Sequence, residues 1–251
     1  MKTQRYIILA KERPCTIAVT LEGNGKAHFF GKEKNGATKF FARRKEIRGL
    51  ETITFPLPIS PAELELCIKG DVKVRQVRLM GLRPPKIKLQ KETFDFIQHV
   101  LDFCKNFNRI DTGIYTDKYG RFPIVLSAQI LNRETKKPMN TPARISRATG
   151  QIEVSKEKFG KYTVPIQVFI LLHERSHYEL QTSNELECDL QALQWYLGFG
   201  FPQTEAIYAN TKIFSGDNPE HVKRATQILD YVKHYNYEKG YYDNGFCGVC
   251  Q

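Results

Sequence analysis

The pattern of apolar and polar positions changes near residue 83. Before it, short segments alternate between apolar and polar residues and are rich in β-branched and aromatic types, such as CTIAVTL at 15–21 and ETITFPL at 51–57. A period of two is typical of strands with one buried face. About seven such segments occur, with turn-forming sequences such as EGNGK and EKNGAT between them. They predict an all-β sandwich or barrel over residues 1–83.

Beyond residue 83 the period becomes helical. Two prolines in the segment 84–90 interrupt regular structure, so this segment is predicted to be a linker. In KETFDFIQHVLDFCKNF apolar residues then recur every three or four positions, as in a helix. ARISRATGQIEVS (143–155) predicts a hairpin. The mixture of helices and short strands predicts an α+β domain over residues 91–240, and 241–251 forms a C-terminal tail.

Three prolines mark the starts of later predicted helices. Pro165, preceded by Thr163 as a capping residue, opens the helix that contains FILLHERSHYEL. Ser183 or Asn184 can cap the next helix, which ends at Gly198. Two further helices are expected to begin at the remaining prolines, Pro202 and Pro219. The chain as a whole is therefore predicted to be α+β.

The positive charge of the chain is concentrated in its first third. Residues 1–88 contain 19 Lys and Arg but only 8 Asp and Glu, whereas the remaining residues contain 19 of each. A basic unit predicts an acidic partner. Aromatic residues among the lysines and arginines would suit single-stranded nucleic acid, but neighbouring residues of a strand point to opposite faces, so about half of them belong to the core. The pattern favours protein partners over nucleic acid.

The cysteines and the apolar segments indicate a cytoplasmic setting. No segment approaches the roughly 20 apolar residues of a membrane span, and the apolar run at 6–10 is too short for a secretion signal. Four of the six cysteines are scattered singly, as expected where thiols stay reduced. Cys247 and Cys250 form a CxxC pair without a second such pair, which favours a tail with free thiols over half of a zinc site.

The segment FILLHERSHYEL (169–180) contains the main candidate for chemistry. His173 and His177 are one helical turn apart, so both imidazoles project from one face and can reach a single cation. Glu174 lies beside them, where a carboxylate can take a proton from water bound to the metal. This is the HExxH arrangement of zinc peptidases, although five letters alone also occur by chance.

A second acidic motif follows in NELECDLQAL (184–193). Glu185 and Asp189 are four residues apart on one face of a helix that can fold back onto the first. One carboxylate can supply the third protein ligand that a catalytic zinc usually takes, and the other can hold the free N–H of a ligand histidine. The alternative is an exposed acidic helix start, including Glu187, that complements the helix dipole.

HExxH followed by E-x-E-[AC]-D resembles the gluzincin metallopeptidases, especially the group of heat-shock and prenyl-protein-processing zinc peptidases. The resemblance implies that Glu185 is the third zinc ligand and that Asp189 orients a ligand histidine, with Cys188 in the place of an alanine. NPEHVKR (218–224) matches the spacing of the H-P-x4-R motif of that group, with Asn218 in place of histidine. An edge strand in ARISRATGQIEVS would line the cleft and pair with an extended peptide.

Since the chain lacks the membrane spans of that group, it is more similar to small zincin-like proteins of crAss-like Bacteroides phages, some of which are virion components. The resemblance implies a zinc-dependent metallopeptidase-like protein, made in the host cytoplasm and incorporated in the virion. The alternative is a structural neck or tail ring protein that uses a zincin fold as a scaffold. Arg175 and Glu179 favour this alternative, because uncharged and apolar residues are usual there.

Two further expectations concern side chains near the motif. A buried Arg175 would need a carboxylate partner, for which Glu179 at i+4 is suitably spaced. Peptide hydrolysis also needs a group that stabilises the oxyanion, and Tyr208 and His221 are candidate donors.

Overall fold

The computed structural model describes residues 2–82, 89–210 and 219–238. Five antiparallel strands form the first part of the protein. The strands are β1 (Lys2–Leu9), β2 (Cys15–Glu33), β3 (Lys39–Leu57), β4 (Glu63–Gly70) and β5 (Lys73–Gly81). Strand β3 pairs along one edge of β2. The other edge of β2 is shared, because β5 pairs with its first half and β4 with its second half.

This arrangement corrects the predicted number of strands. The strands form five elements in place of about seven, because EGNGK continues β2 where a turn was expected and residues 45–50 likewise continue β3. A side chain at Gly23 would lie 3.3 Å from the carbonyl oxygen of Asp71, so glycine allows the neighbouring backbone to approach. EKNGAT does form the turn between β2 and β3, with Asn35 at a φ of 60°. The described strands form one hydrogen-bonded sheet of order β1-β4-β2-β3, with β5 also on β2. The rings of Phe41 and Phe55, near opposite ends of β3, stack on each other, so the sheet folds back on itself, and the sandwich or barrel over 1–83 stays a prediction.

The second part of the protein combines six helices with a small mixed sheet, so the predicted α+β class is confirmed. Its elements within the described residues are α1 (Lys91–Asn106), β6 (Gly113–Tyr115), β7 (Ile124–Ser127), β8 (Ala143–Ile145), β9 (Ile152–Ser155), α2 (Lys156–Phe159), α3 (Val164–Glu179), α4 (Glu185–Gly198), α5 (Gln203–Tyr208) and α6 (Pro219–Glu238). The sheet order is β6-β7-β9-β8. Strands β7 and β9 are parallel, whereas β8 lies antiparallel to β9 at the edge.

The predicted hairpin and helix starts are present in the structure. Strands β8 and β9 are joined by a turn in which the N–H of Gly150, at a φ of 70°, donates to the carbonyl oxygen of Ser146 over 2.8 Å. Helix α3 begins after Thr163 as predicted, although the hydroxyl of Thr163 accepts no capping hydrogen bond. Asn184 caps α4 by accepting hydrogen bonds from the N–H groups of Leu186 and Glu187. This cap makes Glu185 the first residue of α4.

The two parts pack against each other through a continuous apolar core. The ring of Phe55 in β3 stacks on Phe41 at a centroid distance of 4.3 Å, and the guanidinium of Arg43 lies over Phe55. Arg43 also donates to the hydroxyl of Thr204 in α5 over 2.5 Å. Lys105 of α1 forms an ion pair with Glu12 over 2.9 Å. The basic sheet is therefore in direct contact with the helices.

Several predictions fall outside the described residues. Most of the segment 84–90 and all of the tail 241–251, with Cys247 and Cys250, belong to this portion, so the linker and the tail stay predictions. Among the helices that are described, none combines the length and apolar character that crossing a membrane requires.

Candidate metal centre

Three side chains from two helices converge at one point. His173 and His177 lie on α3, and a short connection at 180–184 brings Glu185 of α4 beside them. The Nε2 atoms of the two histidines are 3.2 Å apart. The carboxylate oxygens of Glu185 lie 3.3 Å from Nε2 of His173 and 3.5 Å from Nε2 of His177. These three residues are within range to hold one metal ion, as predicted.

The donor atoms have the spacing and the chemistry of a tetrahedral metal site. Metal–nitrogen and metal–oxygen bonds of about 2.0–2.1 Å place neighbouring tetrahedral ligands roughly 3.3 Å apart. The separation of the two Nε2 atoms, 3.2 Å, lies close to this value. Each Nε2 atom also has one oxygen of Glu185 at a similar distance, Oε2 at 3.3 Å from His173 and Oε1 at 3.5 Å from His177. Two imidazole nitrogens and one carboxylate oxygen are a donor set that zinc accepts in catalytic sites.

The second nitrogen of each histidine faces an acceptor. Nδ1 of His173 lies 2.8 Å from a carboxylate oxygen of Asp189, which is completely buried on α4. Nδ1 of His177 lies 3.0 Å from the carbonyl oxygen of Thr182. With its proton on Nδ1, each ring presents the lone pair of Nε2 to the centre. The prediction that Asp189 orients a ligand histidine agrees with this geometry.

Arg224 of α6 completes the support of Asp189. Its Nε and Nη2 atoms donate to one carboxylate oxygen of Asp189 over 2.9 and 2.6 Å, and Nη2 lies 3.4 Å from Glu185. The sequence singled out Arg224 only through the spacing of the segment 218–224 and assigned it no place in the site. The residue that leads this motif, Asn218, lies outside the described residues.

The acidic side chains control the protonation of the metal-free centre. Burial alone would lower the pKa of His173, but hydrogen bonding to Asp189 and Glu185 raises it to about 10. Hydrogen bonding to His173 in turn lowers the pKa of Glu185 to about 2, against the effect of its own burial. A metal ion would take the place of the proton that His173 carries. Burial raises the pKa of the nearby Cys188 thiol to about 12, so this sulfur is protonated at neutral pH.

Glu174 connects the centre with the edge of the small sheet. Burial, together with the negative charge of Glu185, raises the pKa of Glu174 to about 7, whereas the positive charge of His173 opposes this rise. A hydrogen bond from the backbone N–H of Ile145 also acts against the rise, because it stabilises the charged carboxylate. Ile145 is the last residue of β8. The carboxylate is thus held between the histidines and an edge strand.

Arg175 points away from the metal centre. Two residues along a helix correspond to a rotation of about 200°, so Arg175 projects from the side of α3 opposite His173. It is buried and forms the predicted ion pair with Glu179, over 2.6 Å. Its guanidinium lies over the rings of three aromatic residues: Phe96, Phe122 and Tyr178. The charge inside the motif therefore has a packing role and leaves the histidines accessible to a metal.

The predicted oxyanion donors stay predictions. Tyr208 is the last residue of α5. The side chain of His221 lies outside the described portion.

Comparisons with protein-family models, curated proteins and solved structures find no match to this chain. The functional interpretation is therefore based on the geometry and chemistry of the described residues.

Proposed function

We propose that this protein is a zinc-dependent hydrolase of peptide bonds, with His173, His177 and Glu185 as the zinc ligands. The observation that supports this proposal is the convergence of the three donor atoms beside a fourth side chain, Glu174, that is held between them and an edge strand. Zinc bound there would supply a Lewis acid that polarises a carbonyl group and makes water more acidic. A zincin-like arrangement of residues 91–238 is part of the proposal.

Each residue of the centre then has a chemical task. Glu174 accepts a proton from water and returns it to the leaving amine, for which a pKa of about 7 suits neutral solution. Asp189 holds the ring of His173, and Arg224 forms an ion pair with Asp189. The edge strand β8 can pair with an extended peptide, so that the scissile bond lies near Glu174.

The decisive variant is Glu174→Gln, which keeps the shape of the side chain and removes its basicity. We expect the zinc content and the melting temperature of the full chain to be unchanged, and the rate of peptide cleavage to fall by about 10²–10⁴. Glu187→Gln is the matched control, because Glu187 is exposed in the first turn of α4. Equal rates for Glu174→Gln and the wild type would rule out the proposed catalytic role.

A structural metal is the second candidate function. A metal at this centre would join α3 to α4, because His173 belongs to α3 and Glu185 to α4. Helix α6 is attached to the same place through Arg224, which contacts both Glu185 and Asp189. In this case the protein would be a neck or tail ring component of a phage particle, joined to protein partners through the basic sheet. It would assemble equally well as Glu174→Gln, whereas Glu185→Gln would lower both zinc content and stability.

A further inference from the structure

A cavity beside strand β8 is rich in arginine. Its volume is about 320 Å3, and it is lined by Arg133, Arg144, Ile145, Ser146, Arg147, Ala148 and Glu153. We propose that this cavity selects peptides that carry an acidic side chain close to the bond being cleaved. The proposal rests on the proposed peptidase function, because it assigns a substrate class to the same site.

The cavity carries more positive charge than its one carboxylate can neutralise, so it can bind a second carboxylate. Arg144 and Arg133 both approach Glu153, over 2.6 and 3.6 Å respectively. Arg147 is exposed, and its side chain forms no ion pair with any residue in the described part of the chain. Three guanidinium groups and one carboxylate thus line the cavity. Because guanidinium binds carboxylate through paired N–H donors, an Asp or Glu side chain is the ligand that fits this excess.

The same strand carries both the cavity and the contact to Glu174. The carbonyl oxygen of Pro142 accepts from Ser155, and the N–H of Ser146 donates to Gln151, so these positions face β9. In an antiparallel pair the alternate positions face the other way, so the backbone of Ile145 faces the open edge. This N–H group lies beside the carboxylate of Glu174. A peptide lying along the open edge would therefore pass both Glu174 and the arginines.

Alternation of side chains along a strand determines which peptide residues meet the arginines. Ala143 and Ile145 project from one face of the sheet, and Ala143 is buried in the core. Arg144 projects from the opposite face, next to its cross-strand partner Glu153. The side chains of a bound peptide strand would alternate in the same way. A peptide residue next to the one that faces the metal centre would therefore point towards Arg144 and the cavity that it lines. The hydroxyl of Thr141 donates to the carbonyl oxygen of Ala143, and the side-chain amide of Gln181 donates to that of Arg147. A bound peptide would share these two acceptors.

The test uses the zinc-loaded full chain and pairs of peptides that differ only in Glu or Gln at one position. All peptides have blocked termini, so that only side chains differ in charge. At one position near the scissile bond we expect kcat/KM to be about tenfold higher for Glu, which corresponds to one gained charge-assisted contact. The preference should disappear in the double variant R133Q/R147Q. It should persist in the control R48Q/R78Q, which removes two exposed arginines of the other sheet.

A binding measurement separates this inference from the proposed function. The affinity of Glu174→Gln for the same labelled peptides is measured by fluorescence anisotropy. Suppose that Glu peptides bind more tightly, that this depends on Arg133 and Arg147, and that the wild type cleaves none of them. This result would support the acidic selectivity and contradict the peptidase function. Cleavage without a preference for Glu, or a preference that survives in R133Q/R147Q, would overturn the inference alone. Absence of both cleavage and binding would overturn it as well.

Discussion

Asp189 offers a sharp test of how the metal centre is supported. We expect Asp189→Asn to weaken both the fold and the binding of zinc, because the substitution removes a full negative charge that Arg224 contacts at under 3 Å. The shape of the side chain is kept, so packing around it changes little. The variant therefore isolates the effect of charge.

The magnitude follows from burial. The side chain of Asp189 has no exposed surface, and that of Arg224 is 15 % exposed. Removal of one partner of a buried ion pair typically costs 3–5 kcal/mol. Arg224 can still reach Glu185, from which it is 3.4 Å distant, so we expect about 3 kcal/mol for the metal-free protein. Zinc affinity should fall by about 10–100-fold, since the charged acceptor of the second nitrogen of His173 becomes a neutral amide and Arg224 competes for a ligand.

The free energy of unfolding is measured by urea denaturation in the presence of a chelator, and zinc affinity by competition with a coloured chelator. Glu187→Gln serves as the control, with an expected change below about 0.5 kcal/mol, because it alters an exposed charge of the same helix. If Asp189→Asn matched this control in stability and kept its zinc affinity within twofold, the role assigned to the Asp189–Arg224 pair would be wrong.

Three further predictions follow from the same structure. Arg175→Met should lower the free energy of unfolding by about 3 kcal/mol through loss of a buried cation, yet leave zinc affinity within threefold of the wild type; a large loss of affinity would show that Arg175 acts on the centre. Phe55→Ala should lower the free energy of unfolding by about 3–5 kcal/mol. The urea transition reported by the fluorescence of Trp195, the single tryptophan, should shift by a corresponding amount. An unchanged transition would mean that the sheet and the helices unfold separately. Zinc affinity should rise about tenfold per pH unit between roughly pH 6 and 8, because His173, with a pKa of about 10 in the metal-free protein, must lose its proton to bind; an affinity independent of pH would contradict this protonation state.

The sequence predicted the three side chains that converge at the candidate centre because their arrangement is local. A separation of four residues on a helix brings His173 and His177 together whatever surrounds them. The cap at Asn184 starts the next helix so that Glu185 points back at the histidines. The ion pair of Arg175 with Glu179 was predicted for the same reason, since it spans one helical turn.

Features that depend on distant parts of the chain were not predictable in this way. Arg224 reaches Asp189 across 35 residues, and only the packing of α6 on α4 brings them together. Two of the three aromatic rings around Arg175, Phe96 and Phe122, come from α1 and the segment before β7. Likewise, Gly23 and Gly25 predicted a turn, but pairing with β3, opposite Gly49 and Ile47, continues strand β2 through them. Tertiary pairing overrides local turn preference there.

X-ray absorption at the zinc edge tests the central claim most directly. For the full chain purified without added metal, we predict one zinc per chain with nitrogen and oxygen ligands at about 2.0–2.1 Å, including two imidazoles, and loss of this spectrum in Glu185→Gln. Sulfur ligands at about 2.3 Å would assign the metal to cysteines, and a protein without bound zinc that also fails to take it up would contradict the account.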